Sequence, residues 1–500
     1  MQDFRKAISP TRQENFPEWY QSVVRDGNLA EMAHVRGCMV IKPWGYGIWE
    51  NIQSVLGKMI KKTGAENAYF PLLIPMSYMQ KEADHVEGFA KEIAVVTHHK
   101  LENHNGQLIP AGKLNEPVVI RPTSETIIGE SFAAWIKSYR DLPIKINQWC
   151  NVLRWERRPR IFLRTSEFLW QEGHTAFATE EEAINDALEM IKVYRTFAQN
   201  WLGIPVIVGT KPAFDRFPGA IETYTIEAMM QDGKALQAGT SHYLGQNFSR
   251  SANICFVDQD GEQKNAYTAS WGCSTRLIGA LIMTHADDNG LRIPPKISPV
   301  HIAIIPILRN NSEDSQVLEY AREISSFISE RNFLDGSPII GKIDLKNQSA
   351  VEKKWDWVKR GVPIQVEIGS RDIRDKKLTV RLRSENTQNK HEMPLNEFIE
   401  RIPELLDSIQ EIYFNQANSY KENSVKYLQS FNDLEEFFSS GQMGFVLAPW
   451  HPSVNNGVPR RLEELGVTIR CIPIDQSGES CRCVFTGKKT HIKAIFGRAY

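Results

Sequence analysis

The sequence predicts three successive domains: an α+β domain on antiparallel strands over 1–290, an α/β sheet domain over 297–400 and a small α+β domain over 405–500. Three observations predict this order. Two apolar runs, beginning at Ile144 and at Phe162, flank a proline-containing loop and read as an antiparallel strand pair. The double proline Pro294-Pro295 fits neither a helix interior nor a central strand, so it marks a boundary. Past it, segments of strand character and of helix period alternate, as in an α/β sheet.

Each element has its own warrant. Thr179 and Glu182 have capping-box spacing, and Ile184, Ala187, Leu188, Ile191, Tyr194 and Ala198 recur at helical period until Gly203 and Pro205 stop them. His301 to Ile307 reads as a buried strand. Val317, Ala321, Ile324 and Ile328 form the inner stripe of a helix, a strand is expected near Ile339-Ile340, and Trp355 and Trp357 mark a second helix. Pro363 to Ile368 is a further strand, and Leu378, Val380 and Leu382 alternate with polar residues as a half-exposed strand does. A second boundary is expected near Pro403.

Composition narrows the function classes. A hydrophobic share of 42% excludes wholesale disorder. No apolar run reaches the roughly 18 residues of a membrane helix, and the start Met1-Gln2-Asp3-Phe4-Arg5-Lys6 lacks the apolar stretch of a secretory leader. A net charge of −1 excludes a strongly basic coat for nucleic acid but not a local basic groove. The 7 cysteines are odd in number and scattered, so a disulfide scaffold is not expected and a cytoplasmic protein is. Neither the phosphate-loop pattern G-x-x-x-x-G-K-[ST] nor a strand-bound G-x-G-x-x-G occurs, and H-E-x-x-H and G-x-S-x-G are absent too.

What remains is a set of polar residues among apolar strands. Arg154 and Glu156 alternate onto one face of their strand, and Phe168, Trp170 and Glu172 onto a face of the next. A planar guanidinium suits phosphate oxygens, an aromatic face suits a nucleobase, and a carboxylate accepts from an exocyclic amine. The hairpin reads as a nucleotide platform; the alternative is a salt-bridged sheet surface over ordinary aromatic core.

The stretch Arg154–Gly173 resembles the second signature motif of class II aminoacyl-tRNA synthetases. Leu277-Ile278-Gly279-Ala280-Leu281, after Trp271 to Arg276, resembles the third, and Tyr69-Phe70-Pro71-Leu72-Leu73-Ile74-Pro75 the first. Within that class the chain is similar to the prolyl-tRNA synthetases, through Arg121-Pro122-Thr123-Ser124-Glu125-Thr126, Asn147-Gln148-Trp149-Cys150-Asn151 and Gly239 to Phe248. It resembles their archaeal/eukaryotic type, which carries an extra C-terminal domain.

The resemblance implies a class II catalytic domain, an anticodon-binding domain and that C-terminal domain. It implies ATP-dependent attachment of L-proline to tRNA(Pro) through prolyl-adenylate, with ATP and Mg²⁺ required. Arg154 and Arg276 would be the catalytic pair, on the α- and γ-phosphates. Thr123, Glu125, Arg154, Trp170 and His242 would bind proline. Arg154, Glu156, Arg164, Thr165, Phe168, Gln237, Thr240, Ser274 and Arg276 would bind ATP, with Gln237 near the Mg²⁺. Alone, His242 also reads as a satisfied core histidine and Thr123-Ser124-Glu125 as a helix cap. Cys273 and Ala238 stand where relatives often carry other small or aliphatic residues, which bears on discrimination against alanine or cysteine.

Glu367 and Arg371, in Gly361 to Asp372, would read anticodon bases, since arginine pairs with guanine and carboxylates with base amines; the alternative is a strand-end ion pair. In the last domain many relatives bind zinc through two cysteine pairs. Here Pro449 to Asn455 stands in place of the first pair, and Thr486 falls where a partner of Cys483 would sit. A closed site needs four such ligands, so zinc is not expected. Ala499-Tyr500 matches relatives whose C-terminal tyrosine reaches toward the active site. Pro75 resembles a dimer-interface proline and implies a homodimer without membrane attachment. A non-catalytic, tRNA-binding relative is the competing reading, but such a chain is expected to have lost Arg154 or Arg276. Threonine or serine as substrate is a third, against which the Thr123, Glu125 and His242 set speaks.

Overall fold

The computed structural model describes residues 8–81, 92–309, 312–333, 335–454 and 457–500. The chain start read above and Asn455 lie outside them.

Among the described residues eleven strands join in one sheet, in the order Val425–Tyr427, Phe445–Pro449, Lys493–Arg498, Val467–Pro473, Val206–Thr210, Glu222–Met229, Ala235–Gly245, Tyr267–Ser274, Glu167–Phe177, Ile144–Leu153 and Glu66–Asn67. From Val206–Thr210 through Ile144–Leu153 every pairing is antiparallel. The C-terminal strands extend this sheet through Ile472↔Thr210 and Pro473↔Gly209. An edge strand's unpaired backbone groups are thereby covered, and the last domain is fixed to the first.

The helix Glu180–Asn200 lies on the sheet for the reason its sequence states. Thr179 and Glu182 form the reciprocal cap, and Ala183, Ala187, Met190, Ile191, Tyr194, Phe197 and Ala198 are buried. Gly203 at φ +63 then turns the chain.

The middle domain is a five-stranded sheet in the order Gly341–Ile343, Ile302–Pro306, Ile364–Ile368, Lys377–Leu382, His391–Pro394. The first three strands are parallel, the last two antiparallel. Helix Asp314–Ser329 buries Val317, Ala321, Ile324 and Ile328, the predicted stripe. Helix Ala350–Arg360 ends in Gly361 at φ +75, where an added Cβ would meet the Leu291 carbonyl carbon at 2.7 Å, so only glycine fits. This turn holds the middle domain to the first, with Trp44 Nε1 donating to Arg360 O at 3.0 Å. Arg383 completes the joint, donating to Asp287 through Nη1 at 2.8 Å and Nη2 at 2.6 Å.

One sequence expectation, the last of those below, needs correction, and two boundaries are placed more closely. The strand expected near Ile339-Ile340 spans Gly341–Ile343; before it Ile340 is exposed and Ile339 enters the core. The segment expected to hold the edge near Pro403 is one continuous helix, Leu395–Ser424, with Pro403 inside it. Arg154 and Glu156 do not lie within a strand: the ladder closes at Leu153↔Glu167 and both sit in the loop just past it.

Candidate active site

The antiparallel pair Ile144–Leu153 and Glu167–Phe177 builds the floor of the site. Its register sets Cys150 opposite Trp170 and Val152 opposite Phe168. Past the strand end Arg154 N still donates to Ser166 O at 2.8 Å, which keeps the backbone extended. Arg154 Nε donates to Pro122 O at 2.8 Å, and its guanidinium lies 5.8 Å from the Phe168 ring and 5.6 Å from Trp170. Burial lowers its pKa, opposed by the charges of Glu125 and Glu172. One carbonyl and two rings orient this cation at the cavity wall, and a planar guanidinium so placed suits an anion.

Around it is a cavity of about 310 Å³ lined by Thr123, Glu125, Arg154, Phe168, Trp170, Gln237, Thr240, His242, Ser274 and Arg276. The expected residues Glu156, Arg164 and Thr165 are not in that lining; they occupy the adjoining loop. There Glu156 pairs with Arg164 at 2.8 Å, its backbone N–H donates to Ser166 Oγ at 3.0 Å, and Thr165 is buried.

The polar end is held from below. Glu125 opens the helix Glu125–Trp135, and the Thr123 hydroxyl donates to its carboxylate. Ser124 is the N-cap by position but makes no side-chain cap bond. Its hydroxyl donates instead to Glu172, which also accepts from Gln148 Nε2 at 2.9 Å and Cys150 Sγ at 3.3 Å and faces His174 Nε2 at 3.3 Å. Burial pushes the Glu172 carboxyl up, but the His174, Ser124 and Gln148 hydrogen bonds outweigh it and its pKa is lowered. His174 is raised on balance: burial pulls it down, while Glu172 and Glu125 outweigh burial. His242 lies beside the Phe217 ring, 4.7 Å between centroids, with Nδ1 3.0 Å from Thr223 Oγ1. Burial, with His174 adding repulsion, takes it to about 3, so it is neutral at physiological pH and presents an apolar ring face.

Arg276 is the first residue of the helix Arg276–His285, its N–H on Ser274 Oγ at 3.2 Å and its Nε on Leu163 O at 3.1 Å. Burial lowers its pKa, and Arg154 and Arg164 add repulsion. Two guanidiniums thus face one cavity. Gln237 and Thr240 come from the strand Ala235–Gly245, and Thr240 pairs with Gly272.

Sequence reasoning assigned no individual role to several lining residues. Glu172 stands two residues beyond Trp170, so strand alternation already pointed to it. Gly173, His174 and Trp271 line the cavity from adjacent strands, and Lys211, Asp215 and Phe217 arrive with no local motif.

The other candidates lie apart. Glu367 accepts from Arg381 Nε at 2.8 Å, and Arg371 is exposed on the short helix Ser370–Asp375. Pro75 pairs with Val118. Tyr500 N donates to Ala235 O at 3.2 Å and its hydroxyl to Asp232 at 2.5 Å, which sets its ring beside a second cavity lined by Tyr20, Arg160 and Leu163. Among the described residues no group of three or more His, Cys, Asp and Glu side chains is placed to hold a metal ion. No helix among them is long and apolar enough to cross a membrane.

Comparison with known proteins accounts for these parts together. The tRNA synthetase class II core domain (G, H, P, S and T) matches residues 111–285, the anticodon binding domain 301–405 and the prolyl-tRNA synthetase C-terminal domain 432–500. The proline–tRNA ligase of Protochlamydia amoebophila is 52% identical over 504 residues, covering 99% of both chains. That of Bdellovibrio bacteriovorus is 51% identical over 499 residues, again covering 99% of both. The crystal structure of Cryptosporidium parvum prolyl-tRNA synthetase complexed with L-proline and AMP superposes with a TM-score of 0.89 at 34% identity, covering 99% of this chain and 97% of that one. The chain belongs to the prolyl-tRNA synthetase family of class II aminoacyl-tRNA synthetases.

Proposed function

We propose that the chain joins L-proline to ATP, giving prolyl-adenylate and pyrophosphate, and then passes the prolyl group to the 3′ end of tRNA(Pro), releasing AMP. The observation that carries this reading is one cavity in which Arg154 and Arg276 face an apolar niche of Trp170, His242 and Phe217 beside the Glu125 carboxylate. A small ring with a secondary ammonium and a carboxylate fits that arrangement. Glu125, held by Thr123, takes the ammonium; Arg154 takes the proline carboxylate and the α-phosphate; the neutral His242 and Trp170 line the ring. The proline carboxylate is ionised at neutral pH and is itself the nucleophile. Positioning and charge neutralisation therefore do most of the work.

Phe168 stacks on the adenine, while Glu156, with Arg164 and Thr165, reads its amine from the adjoining loop. Thr240 and Ser274 bond the nucleotide, and Arg276 holds the γ-phosphate until it leaves with pyrophosphate. A magnesium ion bound with ATP would supply screening of the phosphate charges. Gln237, whose amide oxygen is a hard donor of the type this ion takes, would hold it.

In the same reading, Glu367 and Arg371 contact the anticodon, the former released from Arg381 or sharing it. The division into domains at 290/297 and 400/405 stands as the working scheme. The architecture is of archaeal/eukaryotic type, supported by the matched C-terminal domain and the Cryptosporidium parvum superposition, although the bacterial relatives named above share it. A cytoplasmic homodimer that uses no zinc completes the proposal.

The test is charging of tRNA(Pro) with labelled proline by the full chain. Charging is expected, and Arg154→Ala and Arg276→Ala each lower kcat/KM by about 10²–10³-fold. Normal charging by both variants would overturn the assignment of roles.

A further inference from the structure

One buried carboxylate joins the catalytic cavity to the C-terminal strands. Glu227, on the strand Glu222–Met229, is 0% exposed. Its Oε1 accepts from Lys211 Nζ at 3.0 Å and Thr225 Oγ1 at 3.2 Å. Its Oε2 accepts from Arg470 Nε at 3.2 Å and Nη2 at 3.1 Å. Arg470 comes from Val467–Pro473, the strand that stitches the last domain onto the catalytic sheet, and its backbone carbonyl accepts a second bond from Lys211 Nζ at 2.8 Å. Lys211 lines the catalytic cavity with Arg276 and Asp215, whose Oδ2 is 3.3 Å from Lys211 Nζ.

We propose that Arg470 is a positioning residue for ATP activation: it balances Glu227 so that Lys211 and Arg276 keep their pull on the ATP phosphates. The inference rests on the function proposed above and deepens it. Removing Arg470 leaves a buried carboxylate whose charge is offset only by cations that face the substrate. That uncompensated charge holds Lys211, already bonded to it, more tightly and weakens the positive potential at the phosphates. Glu227 and Arg470 also act on Arg276 at a distance and with opposite sign, after its own burial and the repulsion of Arg154 and Arg164. A purely structural pair lacks that signed effect. The C-terminal domain thereby enters the chemistry of activation without touching substrate.

The test is proline-dependent exchange of pyrophosphate into ATP by the full chain, with KM measured for ATP and for proline. Arg470→Met is expected to raise KM for ATP about tenfold, the order of one unit charge acting across roughly a nanometre at an effective dielectric near 20, and to leave KM for proline within about twofold. Glu227→Gln breaks the same pair but removes negative charge, so KM for ATP falls; Arg470→Lys stays near the parent. If Arg470→Met does not fold by circular dichroism, the Gln and Lys variants decide. An increase of KM for ATP in Glu227→Gln, or no change in a folded Arg470→Met, overturns the inference. A parent chain without proline-dependent exchange overturns the proposed function and this inference with it, a result distinct from any variant pattern.

Discussion

Replacing Gly173 by alanine adds one methyl group where the floor of the cavity has no room for it. A Cβ there would lie 2.1 Å from both Cη2 and Cζ3 of Trp271 and 2.3 Å from Cε3. Carbon atoms rest about 3.5–4.0 Å apart, so the indole would have to retreat by about 1.5 Å. It is poorly placed to do so. Trp271 is 2% exposed and sits directly opposite Gly173 in the neighbouring strand. Its Nε1 donates to Asp186 Oδ2 at 3.3 Å, and Asp186 is itself paired with Lys145 at 2.8 Å. Overpacking costs about 1–3 kcal/mol, and loss of a hydrogen bond to a charged group adds about 1.5 kcal/mol. The expected destabilisation is about 3–4 kcal/mol, read as a fall in the urea midpoint of the first unfolding transition. Because both residues line the cavity, KM for proline rises with it. A Gly173→Ala chain within about 0.5 kcal/mol of the parent and with unchanged proline KM would refute this packing argument.

Other changes have equally definite outcomes. Arg383→Met strands the Asp287 carboxylate at the joint of the first two domains and costs about 3 kcal/mol at neutral pH; the loss shrinks in acid as that carboxyl protonates, which pH-dependent thermal unfolding checks. His242 at about 3 and His285 and His301 at about 4 are held below the unfolded value, so the stability they contribute is complete above pH ~6.5 and is lost as pH falls toward those values. His174, raised on balance, opposes them, and the net expectation between pH 7 and 5 is a loss of a few kcal/mol by urea titration. Glu367→Gln and Arg371→Ala should each raise KM for tRNA(Pro) about tenfold while leaving proline-dependent pyrophosphate exchange unchanged.

Local chemistry was legible in the sequence wherever a short-range rule governed it. The cap at Thr179 and Glu182 and the stripe of Val317, Ala321, Ile324 and Ile328 depend on neighbours within a turn or two, and both form as read. The strand pair under the site follows from period-two alternation, although its ladder stops one residue short of Arg154. What escaped was set by distant pairing. Nothing near Pro473 announces that it meets Gly209, and nothing around Lys211 announces a buried bond to Glu227 or Arg470. The helix through Pro403 runs against the residue's own preference, since burial of Phe398, Ile399, Ile402, Leu406 and Ile409 on one face outweighs a missing backbone donor. Glu172 showed as one of three alternating residues, but its hub of four partners comes from three separate segments.

The most direct measurement of the central claim is exchange of labelled pyrophosphate into ATP by the full chain, with proline, alanine, cysteine, threonine and serine offered separately. Strong exchange with proline and far weaker exchange with the others is the predicted result. Exchange with threonine or serine and not with proline, or no exchange from a folded chain that binds ATP, would contradict it.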